Sequence, residues 1–254
     1  MAFLDTPAPL AFAHRGGALL AANDGIENTL AAFQNAVDLG YRYLETDVHS
    51  SRDGVVYAFH DIELTRMTGT VSAFRDLDSE AIDAIRVGGR EPIPRLSELL
   101  ETFPEARFNI DAKADDAVDP MLDVLRKADA LDRVCLASFS ESRLLRMRAG
   151  APTTPTCLSP GEIARLRLAP RRSWQARGVR RGGACLQVPS RHGSLTLVTP
   201  GFVRRAHDLG LPVHVWTVDD PDEMRYLLDI GVDGLMSDRV DVLRDVLLER
   251  DQWR

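Results

Sequence analysis

PLAFAH (9–14), ENTLAAFQNAVDLG (27–40) and YRYLETDV (41–48) follow one another near the start of the chain and read as strand, helix, strand. The outer two are short apolar runs, while the middle one carries Leu30, Phe33 and Val37 along one helical face and stops at Gly40. Strands joined through helices in this way form a parallel sheet. The alternation continues almost to the end, with strand candidates at 10–14, 41–49, 107–113, 134–139, 154–158, 184–188, 213–218 and 234–237. Eight is the number that closes a (β/α)8 barrel. Later helices show the same signals: Met224, Leu227 and Leu228 form one stripe, Leu243 and Leu247 another, and Gly150, Gly210 and Gly231 stand where helices should stop.

One segment breaks the rhythm. Between Asp53 and Pro94, VVYAF reads as an extra short strand and DLDSEAIDAI as an extra short helix ahead of the expected helix at 96–103. The fold class expected is therefore α/β, a single TIM-type barrel over residues 1–254, with a small insertion at 61–94 in the loop after strand 2.

Composition agrees with a folded chain. Its 254 residues leave one or two domains open on length alone, and 44% hydrophobic with 27% charged residues is ordinary for a globular protein. A formal charge of −7 argues against a nucleic-acid-coating protein, which needs a basic surplus. The first residues, MAFLDTPAPL, lack a basic start followed by an apolar core, and no run of ~18 apolar residues occurs, so no transmembrane segment and a cytoplasmic location are expected. Cys135, Cys157 and Cys185 show no CxxC pairing and read as reduced, packed thiols. The stretch 165–181 holds seven arginines, a solvated face by preference or a contact for a phosphate-bearing partner or membrane surface. Oligomeric state is left open.

Residues i and i+2 of a strand share a face, so Glu45 and Asp47 project together, as do Asp111 and Lys113 in FNIDAK. Facing the barrel mouth, these would bring three carboxylates and an ammonium together at the strand C-termini, where such barrels build their sites. Buried carboxylates are costly without a counter-charge, and oxygen-only donors favour one hard divalent cation, Mg²⁺ or Ca²⁺. His14 ends the first strand and His60 follows VVYAF, so two imidazoles could share acid and base work. Arg15 offers a planar fork matching phosphate oxygens and Lys113 a point charge, unless both simply pair with the carboxylates.

AHRGG, ENTLAAFQNAVDLGYRYLETDVHSSRDGVVYAFHD, FNIDAK and VHVWTVDD, taken in order, resemble the glycerophosphodiester phosphodiesterases, with matching motifs from His14 to Asp238. The resemblance implies a TIM-type barrel and metal-dependent hydrolysis of a small-molecule glycerophosphodiester to an alcohol and glycerol 3-phosphate, through a cyclic phosphate closed by the substrate's own hydroxyl. It implies His14 and His60 as the acid–base pair and Glu45, Asp47 and Asp111 as metal ligands. Arg15 and Lys113 would hold phosphate, Glu27 of ENT would complete the polar site, and Trp216 would pack near the glycerol carbons. Two departures stand out: Asp111 where the family more often has Glu, and ALLAANDGI without the proline common before the glutamate. A lysophospholipase D-like enzyme of the same superfamily and a silent barrel that only binds phosphorylated ligands are the alternatives.

Overall fold

The structure is a computed structural model that describes residues 2–168 and 182–254. Eight parallel strands close on themselves: β1 (Leu10–His14), β2 (Tyr43–Ser50), β6 (Arg107–Ala112), β7 (Val134–Ala137), β8 (Thr156–Cys157), β9 (Gly183–Pro189), β12 (Val213–Trp216) and β13 (Gly234–Ser237). Pairing of β1 with both β13 and β2 shuts the barrel. Around it lie α1 (Leu30–Asp38), α4 (Leu96–Thr102), α5 (Val118–Lys127), α6 (Glu141–Gly150), α7 (Pro160–Leu168), α8 (Pro200–His207), α9 (Pro221–Asp229) and α10 (Val240–Glu249). Phe33, Met224, Leu227, Leu243 and Leu247 of the expected stripes are buried against the barrel, and the three cysteines are free and buried inside it.

Where strand ends differ from the expectation they do so by one or two residues, for local reasons. β2 begins at Tyr43 because Gly40 turns with φ +97°, and the chain needs two more residues before it reaches β1. β7 stops at Ala137 because Ser138 turns its hydroxyl back onto the Ala112 carbonyl at 3.0 Å. Gly40, Gly210 and Gly231 take positive φ at helix ends, but Gly150 does not. It is the last residue of α6, and a Cβ there would lie 2.7 Å from Leu122 Cδ1, so its role is the close approach of α6 to α5.

The insertion after β2 starts with β3 (Val56–Ala58), antiparallel to the end of β2. It continues through α2 (Thr65–Thr68), the expected short helix as α3 (Ser79–Asp83), and a hairpin of β4 (Arg86–Val87) and β5 (Glu91–Pro92); α2 and the hairpin were not among the elements expected. Tyr57, Phe59, Leu64, Phe74, Ile82, Val87 and Ile93 form a second apolar cluster beneath it. A smaller antiparallel pair, β10 (Arg191–His192) and β11 (Leu195–Thr196), follows β9. Most of the arginine-rich stretch, residues 169–181, lies outside the described residues; of its start, Arg167 donates to the carbonyls of Leu197 and Thr196. No helix among the described residues is long and apolar enough to cross a membrane.

Candidate active site

Register brings the charged residues to one place. His14 pairs with Glu45, Glu45 with Asn109 and Asp47 with Asp111 across adjacent parallel strands, so their side chains share the inner face at the strand C-terminal ends. Glu45, Asp47 and Asp111 are 5%, 1% and 7% exposed, which makes their counter-charges decisive.

Lys113, just past β6, lies between two of them, with Nζ 2.6 Å from Asp47 Oδ1 and 2.7 Å from Asp111 Oδ2. Arg15 Nε is 3.2 Å from the other oxygen of Asp47, and Arg15 Nη1 donates to Glu27 Oε1 at 3.1 Å. Burial opposes ionisation of Asp47, but Lys113 and Arg15 outweigh it and hold its pKa below the usual range. Burial raises Glu45, with Asp47 adding to the effect, and it raises Asp111 despite Lys113. Asp111 Oδ1 is buried without a hydrogen-bond partner. Two cations therefore serve three buried carboxylates incompletely. Among the described residues no group of three His, Cys, Asp or Glu has the spacing of a ready metal cage, and the Lys113 ammonium lies between Asp47 and Asp111.

Both histidines are held from behind. His14 Nδ1 donates to Asp238 Oδ1 at 2.8 Å, which turns Nε2 towards Glu45, 3.7 Å away. Burial disfavours a charged His14, but Glu45 and Asp238 prevail and its pKa is raised. His60 Nδ1 donates to Asp61 Oδ1 at 2.7 Å. His60 and Lys113 line a cavity of about 770 Å³, together with Asp61, Ile62, Thr65 and Arg66 of the insertion. Trp216 is half-buried at the end of β12 and joins the group indirectly, edge-on to Phe139 at 5.6 Å, with Lys113 Nζ 5.9 Å from the Phe139 ring.

The sequence reading missed several supports. Asp61 was visible as the second half of the HD dipeptide, and His49 as the next inward position after Glu45 and Asp47. His49 Nε2 donates to the His60 carbonyl at 3.1 Å and stacks on Phe74 of the insertion. The three residues of ENT act separately. Glu27 meets Arg15, Asn28 donates to Asp47 Oδ2 at 3.3 Å, and Thr29 caps α1 by accepting from Ala32 N. Asp238 gave no local signal. Its loop is set by Asp219 of VHVWTVDD, whose Oδ1 accepts from Ser237 Oγ and from the amide of Asp238.

The glycines after His14 explain the tight first loop. Gly16 and Gly17 have φ of +86° and +87°, and a Cβ on Gly17 would come within 2.6 Å of Val240.

The Glycerophosphoryl diester phosphodiesterase family matches residues 14–242. The chain belongs to that family. Membership makes it a phosphoric diester hydrolase. It is 39% identical over 254 residues to the probable glycerophosphodiester phosphodiesterase 2 of Mycobacterium tuberculosis, covering 95% of each chain. The crystal structure of a putative glycerophosphoryl diester phosphodiesterase from Silicibacter pomeroyi is similar over 100% of this chain and 98% of its own, at 26% identity and a TM-score of 0.83. An Oleispira antarctica phosphodiesterase, solved in complex with the product sn-glycerol-3-phosphate, shares the fold at 22% identity and a TM-score of 0.78, over 94% of this chain and 97% of its own.

Proposed function

We propose that this phosphodiesterase-family barrel hydrolyses glycerophosphodiesters to an alcohol and glycerol 3-phosphate at the mouth formed by β1, β2 and β6. The observation that carries the reading is the paired arrangement of His14 and His60, each with an aspartate on Nδ1, around the Arg15, Lys113 and carboxylate cluster. The name of the 39% identical relative supports the substrate class.

The donor set suits one divalent cation, Mg²⁺ or Ca²⁺. Glu45, Asp47 and Asp111 offer only hard oxygens, Asp111 Oδ1 has no partner, and the cluster is short of positive charge. These three residues would hold it, with Lys113 released from at least one carboxylate and free to take a phosphate oxygen. When bound, such an ion supplies Lewis-acid stabilisation of charge on the phosphoryl oxygens.

The chain's own residues do the rest. Arg15 and Lys113 orient the phosphate, and the apolar edge of Phe139 and Trp216 excludes water beside the glycerol carbons. One imidazole takes the proton of the substrate's free glycerol hydroxyl as that oxygen bonds to phosphorus, while the other gives a proton to the departing alcohol oxygen. Water then opens the cyclic phosphate with the two imidazoles in exchanged roles, returning both to their starting state. Asp61 and Asp238 fix the tautomer throughout, leaving each Nε2 for proton transfer.

The test is release of glycerol 3-phosphate from glycerophosphocholine with Mg²⁺, Ca²⁺ or a chelator, for the wild type and His14→Ala. Metal-dependent release that His14→Ala abolishes is the expected result; no release with any metal would overturn the reading. A lysophospholipid substrate is the second reading, favoured by Ile62, 65% exposed on the cavity wall. Turnover of lysophosphatidylcholine in preference to glycerophosphocholine would establish it.

A further inference from the structure

Arg66 has no part in the roles derived above, yet it touches both halves of the site. It lies on α2, inside the insertion, and its guanidinium forks onto two carboxylates. Nε and Nη2 stand 2.5 and 3.1 Å from the two oxygens of Asp61, and Nη2 and Nη1 stand 2.6 and 3.1 Å from those of Glu27. Each carboxylate in turn holds a working group: Asp61 accepts from His60 Nδ1, and Glu27 accepts from Arg15 Nη1. Both oxygens of Glu27 are engaged by guanidinium groups, which makes it a link between Arg15 and Arg66 before it is a contact for substrate.

The insertion is built to deliver this group. Leu64, two residues earlier, is fully buried in the second apolar cluster, and the Met67 carbonyl accepts from Gly88 N of the hairpin at 2.9 Å. Gly88 passes so close to the first loop that a Cβ on it would lie 2.6 Å from the Gly25 carbonyl oxygen, and Arg90 donates to the Asp24 carbonyl at 2.6 Å. The Arg66–Glu27 pair is thus the inner end of a contact between insertion and first loop, at the point where that contact reaches the site. On the other side, Asp219 sets the loop that carries Asp238 to His14. His60 has Arg66 in the corresponding place.

We infer that Arg66 is a positioning residue for the hydrolysis: one guanidinium, supplied by the insertion, sets the imidazole of His60 through Asp61 and the guanidinium of Arg15 through Glu27. The inference rests on the function proposed above. Arginine is required because a planar fork can serve two carboxylates together, whereas a lysine ammonium is a single point of charge.

The experiment is steady-state hydrolysis of glycerophosphocholine with Mg²⁺ by the wild type, Arg66→Gln, Arg66→Lys, Asp61→Asn and the double variant Arg66→Gln/Asp61→Asn, with thermal melts of each. Arg90→Ala, which cuts only the outer contact between the loops, is the control and should keep wild-type kcat. Arg66→Gln should lower kcat roughly tenfold or more, within what misplacing an acid–base group can cost, and raise KM through Arg15. Its melting temperature should stay near wild type, because the side chain is 47% exposed. Arg66→Lys should recover part of kcat, and the kcat of the double variant should fall within about twofold of that of Asp61→Asn, since the effect on His60 passes through Asp61, while the rise in KM through Glu27 and Arg15 should persist. Wild-type kcat in Arg66→Gln, or losses that simply multiply in the double variant, would overturn the inference. If Arg66→Gln also melts early, the same comparison below its melting range decides. A wild type that releases no glycerol 3-phosphate would instead sink the parent reading, so the two failures are distinct.

Discussion

At His14 a single hydrogen bond decides what the imidazole can do. With Nδ1 committed to Asp238, Nε2 is left facing the carboxylate cluster, and the tautomer is set by a residue 224 positions away. Asp238→Asn keeps the size and an acceptor oxygen but removes the charge. Its kcat on glycerophosphocholine should fall about tenfold or more with little change in KM; an unchanged kcat would show that His14 needs no anionic support. Gly17, for a different reason, is a position without tolerance. Gly17→Ala combines a strained φ of +87° with a 2.6 Å approach to Val240, and a clear drop in melting temperature is expected. His14 was legible from AHRGG; Gly17 stands in the same stretch but was given no role. Their partners, Asp238 and Val240, were not legible, because nothing in strand or helix periodicity indicates which loop meets the first one when the barrel closes.

Among the elements, α7 shows a local rule and a tertiary one acting on one side chain. Ser159 and Glu162 form a reciprocal cap: Glu162 N donates to Ser159 Oγ at 3.2 Å and Ser159 N to Glu162 Oε2 at 2.8 Å. The same carboxylate, with its side chain fully buried, takes both ends of the Arg148 guanidinium from α6 at 2.9 and 3.0 Å. Burial resists this charge, but Arg148 and the Ser159 amide outweigh it and lower the Glu162 pKa. Glu162→Ala would leave Arg148 buried without a counter-charge, at a cost of about 3 kcal/mol or more. Calorimetry should show a melting temperature lower by roughly 6–12 °C for a chain of this size, and a loss near zero would mean the pair is compensated by water. The S-x-x-E spacing of SPGE is a sequence signal for the cap. The ion pair is not, since it needs α6 and α7 packed side by side.

The whole molecule couples a barrel to an insertion with its own apolar cluster, and the site lies where they meet. That junction leaves a mark on acid stability. Burial works against ionised Asp61, but its bonds to Arg66 and His60 prevail and lower its pKa from 3.8 to about 2. A depressed carboxylate contributes stability that is fully present above 3.8 and is lost as the pH falls through about 2. Melting temperatures of the wild type should therefore decline more steeply across that window than those of Asp61→Asn, and parallel curves would refute the coupling. By itself the sequence determined the barrel, because alternating apolar strands and helices with periods of two and 3.6 residues leave few other ways to bury their faces. It also determined which residue types gather at the mouth, since inward positions of a strand recur every second residue. Tertiary structure alone decided how those charges are shared. Lys113 between two carboxylates, Asp238 behind His14 and Arg66 bridging Asp61 and Glu27 depend on distances of about 3 Å between groups far apart in the chain, and only the closed, packed fold sets them.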